Sequence, residues 1–323
     1  MKRRTLLKAS GGLGLLALYP AAQAQAFPSH LVRIVVPLTA GGLTDVSMRI
    51  TAEALGARLG QQVMIDNKPG AAGAIAARGV AQSAPDGYTL LAVTSSHTSV
   101  VPYAQANAGF DPLKDFAPVG TISKSPSVLY VHPGVPVKTM AEFIAYAKAN
   151  PGKLTYATAG IGSFGHVATE LLCQRAGITM TMIPYQGAGQ STTALVGGEV
   201  NCQFTLPSGS FGEYVATGKL MALGLAMLEP SPLLPGVPTI AQTLPGFEAV
   251  VWTGLLAPIA TPAAVVAQLN RELSAVVATQ AVRDKFAQMG IEASGMTSAQ
   301  YRTLVLAEQQ HWEPLIRKMN IRS

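Results

Sequence analysis

The stretch VRIVVPLTAGGLTDVSMRI (residues 32–50) sets the reading of the chain. VRIVV is an apolar, β-branched run of the kind that forms a strand covered on both faces. Gly41 and Gly42 mark a tight turn, and from Thr44 the pattern becomes helical. Asp45 falls in the first helical turn, where a carboxylate complements the helix dipole and accepts backbone N–H bonds. The stretch LTYATAGIGSFGHVATELLCQRA (154–176) repeats the same order of strand, polar glycine loop and helix. Two such units predict two similar α/β lobes.

Outward from these units, β-rich runs at 62–66, 88–94, 127–132, 180–184, 200–205, 220–226 and 250–257 alternate with helical patterns at 139–149 and 190–196. The tail is helical at 262–279, 281–289 and 297–319, with Pro314 expected to kink the last helix. Several strands are apolar throughout, which predicts an α/β fold with mainly parallel sheets. In such sheets ligands sit beyond the carboxyl ends of the strands. Five loops follow predicted strands there: LTAGGLTD (38–45), SSHTS (95–99), AGIGSFGH (159–166), YQGAGQ (185–190) and LPSGS (206–210).

These loops are built from glycines, hydroxyls and small residues. Asp45 is their one carboxylate, and none holds Lys or Arg. General acid–base catalysis needs paired titratable groups, so the set is poor for turnover and no catalytic residue is assigned. Backbone N–H groups, hydroxyls and helix N-termini instead suit an anion. GIGSFG (160–165) fits G-x-G-x-x-G, but no acidic residue lies between Glu170 and Glu199 to hold a ribose, so the match is read as chance. There is no G-x-x-x-x-G-K-[ST] and no G-x-S-x-G, and the five histidines show no H-x-x-x-H spacing. No cofactor and no metal are expected. Asp45 reads as a brace of its loop. His97 and His166 read as helix-start or packing residues that also sit in the polar loops. Tyr185 is equally a core aromatic or a pocket wall, and Trp252 reads as packing near a crossing between lobes.

The net charge of +6 belongs largely to the first 26 residues. Lys2, Arg3, Arg4 and Lys8 precede an apolar run at 9–19 and A-x-A sites at 22–24 and 24–26, which predicts a cleaved export signal of the Sec or the twin-arginine type. Its removal leaves +2, so there is no argument for a nucleic-acid partner. No cysteine stands at the cleavage region, so no lipid anchor is expected. Charged residues are 12% of the chain, below the roughly 25% of ordinary domains, and the 49% hydrophobic content suits large buried sheets. Cys173 and Cys202 could pair after export or remain buried thiols.

Taken in order, VPLTAGGLTDVSMRI, IDNKPGAAGAIAA, APDGYTLL, DPLKDFAPVG, AGIGSFGHVATELL, IPYQGAGQSTTALVGGEV and GVPTIAQTLPGFEAVVWTGLLAPIATP resemble the substrate-binding proteins of tripartite tricarboxylate transporters, the Bug-type receptors. The resemblance covers essentially the whole mature chain. It implies a type II-like Venus-flytrap receptor, periplasmic and monomeric, that closes two lobes around a small carboxylate. It also implies lobes at 27–125 with 250–323 and at 126–249, joined near Ser125 and Val250. The partner implied is a membrane permease, with a sensor kinase as the alternative; the alternative function read from the residues is an exported hydrolase or isomerase on the same scaffold. Carried over, the family's first loop gives Leu38, Thr39, Gly41, Gly42 and Asp45. The second gives Ser95, Ser96 and His97, which hold the carboxylate with the first loop, partly through water. The other lobe gives Gly162, Ser163, His166, Tyr185 and Gly187 for selectivity. Leu38 stands where the family commonly has an aromatic, Ala40 where it has proline, and Asn201 where it often has aspartate, the last expected to be structural.

Overall fold

The structure, a computed structural model, describes residues 27–105, 108–207, 209–319 and 321. The export signal expected over 1–26 lies outside the described residues. The chain opens with β1 (Val32–Val36), α1 (Leu43–Leu59), β2 (Val63–Asn67), α2 (Ala74–Ala81), β3 (Thr89–Thr94) and α3 (Val101–Ala104), then the long β4 (Phe116–Pro126). It continues through β5 (Val128–Val131), α4 (Met140–Ala149), β6 (Thr155–Thr158), α5 (Phe164–Ala176), β7 (Thr181–Pro184), α6 (Ala188–Val196), β8 (Cys202–Thr205), α7 (Gly209–Ala216) and β9 (Met221–Leu225). It ends with β10 (Val250–Pro258), α8 (Ala263–Val277), α9 (Gln280–Gln288), β11 (Glu292–Ala293) and α10 (Ser298–Lys318), which runs on past Pro314.

Two sheets organise these elements, one ordered β11-β4-β10-β3-β1-β2 and the other β7-β6-β8-β5-β9. In α1, Met48, Ala52 and Leu55 recur on one face and are buried against the first sheet, while Gly60 ends the helix in a left-handed cap at φ +67°. α5 repeats the device on the second sheet, with Leu171, Leu172 and Ala176 buried and Gly177 as its cap at φ +63°. The echo between 31–59 and 154–176 is therefore a repeat of structure.

The sheets are mixed rather than mainly parallel. β1 runs parallel to β2 and β3, and β6 parallel to β7 and β8. β10 is antiparallel to β3 and β4, β11 to β4, and β5 to β8 and β9. The cause is the crossing. A strand that leaves one sheet for the other and a strand that returns beside it must run in opposite directions. β4 was not expected from the sequence, because FAPVGTISKSP carries two prolines, a glycine and polar residues that mask its pattern. Pro118 is tolerated next to a register shift in the β4–β10 ladder, and Pro126 closes the strand.

At the crossing, Ser127 is fully buried and its hydroxyl donates to Ala249 O at 2.7 Å. Ala226 N donates to Ser127 O, and Ala249 N to Ala226 O. The outgoing and returning chains are thus tied at one point. α10 makes a further link. Its Tyr301 and Val305 pack in a core with β3 and β10 residues, while Trp312 and Ile316 pack in a core with Leu129, Leu171 and Leu172. Cys173 and Cys202 are free, buried thiols, and burial pushes the Cys173 thiol up to about 12.

Residues 70–73 form a left-handed turn, with φ +134° at Gly70, +46° at Ala71, +47° at Ala72 and +91° at Gly73. Gly73 N donates to Gly70 O at 2.9 Å to close it. Such a conformation costs an L-residue roughly 1–2 kcal/mol. Because Ala72 is exposed, Ala72→Gly should relieve that strain and raise the melting temperature by about 2 °C, less what glycine adds to the unfolded chain's entropy. Thermal melts of the two proteins test this, and a lower melting temperature in the variant would contradict it.

Candidate functional site

The parallel halves of the two sheets place the loops. β1 and β3 are parallel neighbours, so the loop 37–42 and the segment from Ser95 emerge from the same end of the first sheet. β6 is parallel to β7 and β8, so the loops after Thr158, Pro184 and Thr205 emerge together from the second. The two sets meet. A β-carbon on Gly162 would stand 3.1 Å from the Ala104 side chain, and Val100 and Ala104 share a core with Leu129 and Val167.

In the first loop, Asp45 braces the turn as expected. Its Oδ2 accepts the Gly41 N–H at 2.8 Å and Arg49 Nε at 3.0 Å, and its Oδ1 accepts Asn67 Nδ2 at 2.9 Å. Burial pushes this carboxyl up, but the bonds from Arg49, Gly41 and Asn67 outweigh it and hold the group below the ordinary carboxylate value. The carboxylate is thereby occupied and 2% exposed. Gly41 needs its φ of +85°, while Thr39, Gly41 and Gly42 are exposed at the rim. Gly42 is the N-cap of α1 and brings no side chain to cover the helix end. Leu38 packs at the margin of the first core, its carbonyl taking a second bond from Asn67 at 3.1 Å.

Asn67 and Gly73 were not singled out in the sequence. Asn67 ends β2 and ties Leu38, Asp45 and Arg49 together, the last through Arg49 Nη2 to Asn67 Oδ1 at 2.8 Å. Gly73 makes room for the next segment, since a β-carbon there would lie 2.4 Å from the His97 ring. The signal was present as Asn-Lys-Pro-Gly at a strand end, but its target is remote in sequence.

The SSHTS stretch is helical rather than a loop. Ser95 continues β3 into a π-helical turn, Ser96–Val100, that leads into α3. π-turns are rare and recur at functional sites. His97 is 5% exposed, and its Nδ1 accepts the Thr94 N–H at 3.1 Å with the Thr94 hydroxyl at 2.9 Å, which leaves the ring proton on Nε2. Burial drives this imidazole down to about 4. Ser96 is half-buried beside it.

The second sheet mirrors this arrangement. His166 is buried, its Nδ1 accepts the Gly162 N–H at 3.1 Å, and burial lowers its pKa against the pull of Glu170. Gly162 holds φ +74°, and Ser163 is the N-cap of α5. Gly165, the last glycine of GIGSFG, serves packing: a β-carbon there would meet Phe204 O at 2.6 Å. Gly187 is the N-cap of α6 at φ +120°. Tyr185 is half-buried at the margin of a core with Leu195, so both of its expected roles stay compatible with its position. Asn201 accepts from Thr155 N at 2.8 Å and Thr155 Oγ1 at 3.0 Å, a bond that ties β6 to β8. Ser208 of the LPSGS loop lies outside the described residues.

Two hydroxyls stand out in this setting. Ser95 Oγ and Ser163 Oγ are both buried, and neither has a hydrogen-bond partner among the described residues. Native proteins pair nearly all such atoms, with protein, water or ligand. One belongs to each sheet's loop set, and each sits two or three residues before a histidine fixed by a backbone amide.

Residues 47–321 match the model of the tripartite tricarboxylate transporter family receptor. Protein BugT of Bordetella pertussis is 34% identical, over 91% of this chain and 91% of its own. Among solved structures, Rpa4515 of R. palustris with adipate superposes with a TM-score of 0.83 at 32% identity, over 92% of this chain and all of its own. MatC from Rhodopseudomonas palustris with bound malate gives 0.78 at 32% identity, over 90% and 100%. The chain belongs to the tripartite tricarboxylate transporter receptor family, whose members bind solutes and are not enzymes, and its fold is the two-lobed one of periplasmic binding proteins.

The buried state of His97 carries a pH signature. Its folded pKa lies below the unfolded value, so the unfolded chain takes up a proton first as pH falls. Stability from this group is complete above about pH 6.5 and drains away as pH falls towards 4, by on the order of 3 kcal/mol. Urea unfolding of the wild type and of His97→Gln at pH 7 and pH 4.5 should show a larger acid loss in the wild type. Equal losses would mean that the imidazole charges freely in the folded protein.

Proposed function

We propose that this receptor is periplasmic and captures a small carboxylate between its lobes, residues 27–125 with 250–323 and residues 126–249, for delivery to a tripartite tricarboxylate-type permease. The observation that carries the reading is the pair of unpartnered, buried hydroxyls, Ser95 Oγ and Ser163 Oγ, one from each sheet's loops. The surroundings suit an anion held without a formal cation. Uncapped N-termini of α1, α5 and α6 lie at the loops, Asp45 is already occupied, and His97 and His166 are held as neutral N–H donors. The adipate and malate in two relatives are carboxylates of the same class. No described helix is long and apolar enough to cross a membrane, which fits a receptor that hands its ligand to a separate permease.

In this reading the first loop and Ser95 take the carboxylate, with water completing its shell, and Gly162, Ser163 and Tyr185 read the rest of the ligand. Closure turns about the tie at Ser127 and Ala249 and removes the ligand from water. A ligand that binds only the folded protein adds RT ln(1 + [L]/Kd) to stability. A thermal-shift panel of mono-, di- and tricarboxylates, aromatic acids and amino acids should therefore raise the melting temperature for at least one carboxylate. Silence across the panel with folded protein would sink the proposal.

The hydroxyls give a sharper test. A hydrogen bond to a charged group is worth about 1.5–3 kcal/mol, so Ser95→Ala and Ser163→Ala should each weaken the responding carboxylate about ten- to a hundredfold by calorimetry. Neither should lower the melting temperature of the unliganded protein, because neither hydroxyl has a partner to lose among the described residues. A variant that loses stability and keeps its affinity would show that the hydroxyl is structural.

A further inference from the structure

Away from the loops, a cavity of about 510 Å³ lies between the crossing strands β4 and β10 and the underside of α10. None of its lining residues comes from the ligand loops described above. Lys124 and Trp252 are cross-strand partners, so both side chains leave the sheet on the same face. Trp252 is 3% exposed, and its indole N–H has no partner among the described residues. Lys124 has no hydrogen bond or ion pair among the described residues, and its other cross-strand partner, Glu292 of β11, leaves the sheet on the same face.

The other wall carries two carboxyl groups. Glu308, His311 and Trp312 share one face of α10, and Glu248 enters from the segment before β10. Glu308 is held by the Trp312 indole N–H at 3.0 Å. Burial pushes its carboxyl up to about 7, the Trp312 bond opposes this, and the Glu248 charge adds to it. A carboxyl so placed gains from a cation brought beside it. Two indoles line the same space, and aromatic faces attract organic ammonium groups.

We propose that this cavity is a second ligand site, for a small zwitterion of the amino-acid class. Its ammonium lies against Glu308 and Glu248, and its carboxylate meets Lys124 and the Trp252 indole N–H. A plain amine would leave the Trp252 donor and Lys124 unanswered, and a plain acid would face two carboxylates. The site bridges β4, β10 and α10, the elements that join the two lobes, so its occupant braces the junction about which closure turns. It is separate from the carboxylate cleft and does not depend on that assignment.

The molecule supplies its own reporter, because the chain has two tryptophans and both line this cavity. Tryptophan emission is followed while 5-aminopentanoate is added, with pentanoate and pentylamine as single-charge controls. The expected result is a saturable change with 5-aminopentanoate, at least tenfold weaker with either control. It should persist in the Ser95→Ala/Ser163→Ala double variant. It should weaken at least tenfold in Glu308→Gln, which keeps an acceptor for Trp312, and in Lys124→Met, with melting curves verifying that both fold. The proposal is overturned by no saturable change, by an equal response to pentylamine or pentanoate, by loss in the serine double variant, or by a response that neither Glu308→Gln nor Lys124→Met weakens.

Discussion

The antiparallel pairing of β4 with β10, from Phe116–Pro258 at one end to Pro126–Val250 at the other, is what the remaining architecture hangs on. It places the outgoing and returning chains side by side, one entering the second sheet as β5 and the other coming back from that side. The Ser127 hydroxyl closes the junction by donating to Ala249 O. A buried hydroxyl that satisfies a buried carbonyl is worth more than its net bond strength, because its loss leaves the carbonyl unpaired. Strand pairing resists shear along the ladder but allows bending where it ends, and it ends at this junction.

The loops at the strand ends obey a different constraint. They must present polar groups without collapsing onto them. The structure achieves this by spending charges internally. Asp45 is consumed by Gly41, Arg49 and Asn67, and each histidine is consumed at Nδ1 by a backbone amide. What these bonds leave uncommitted is backbone N–H, imidazole N–H and buried serine hydroxyl. These are donors of modest strength and fixed direction.

α10 sets a third constraint. It is anchored in the first lobe's core by Tyr301 and Val305 and in the second lobe's core by Trp312 and Ile316. Its Gln309 also donates to Thr98 O, within the π-turn segment that bears His97. The helix therefore contacts both cores and the segment that bears His97. Pro314, placed between Trp312 and Ile316, removes one backbone donor from the helix ladder near the crossing.

The sequence by itself determined the local units. Valine runs and the repeated strand–loop–helix at 31–59 and 154–176 were legible because their causes lie within a few residues. The ordered motifs also made the family legible. The tertiary structure decided the mixed sheets, the long β4, the helical form of 95–99, and the roles of Asn67 and Gly73. Each depends on a partner distant in the chain. Pro118 is tolerated only beside a register shift set by β10, Gly73 is needed only because the His97 ring lies against it, and the Ser95 and Ser163 hydroxyls are left without partners among the described residues only once their segments are packed. Periodicity records which face a residue turns inward, and it carries no record of what waits there.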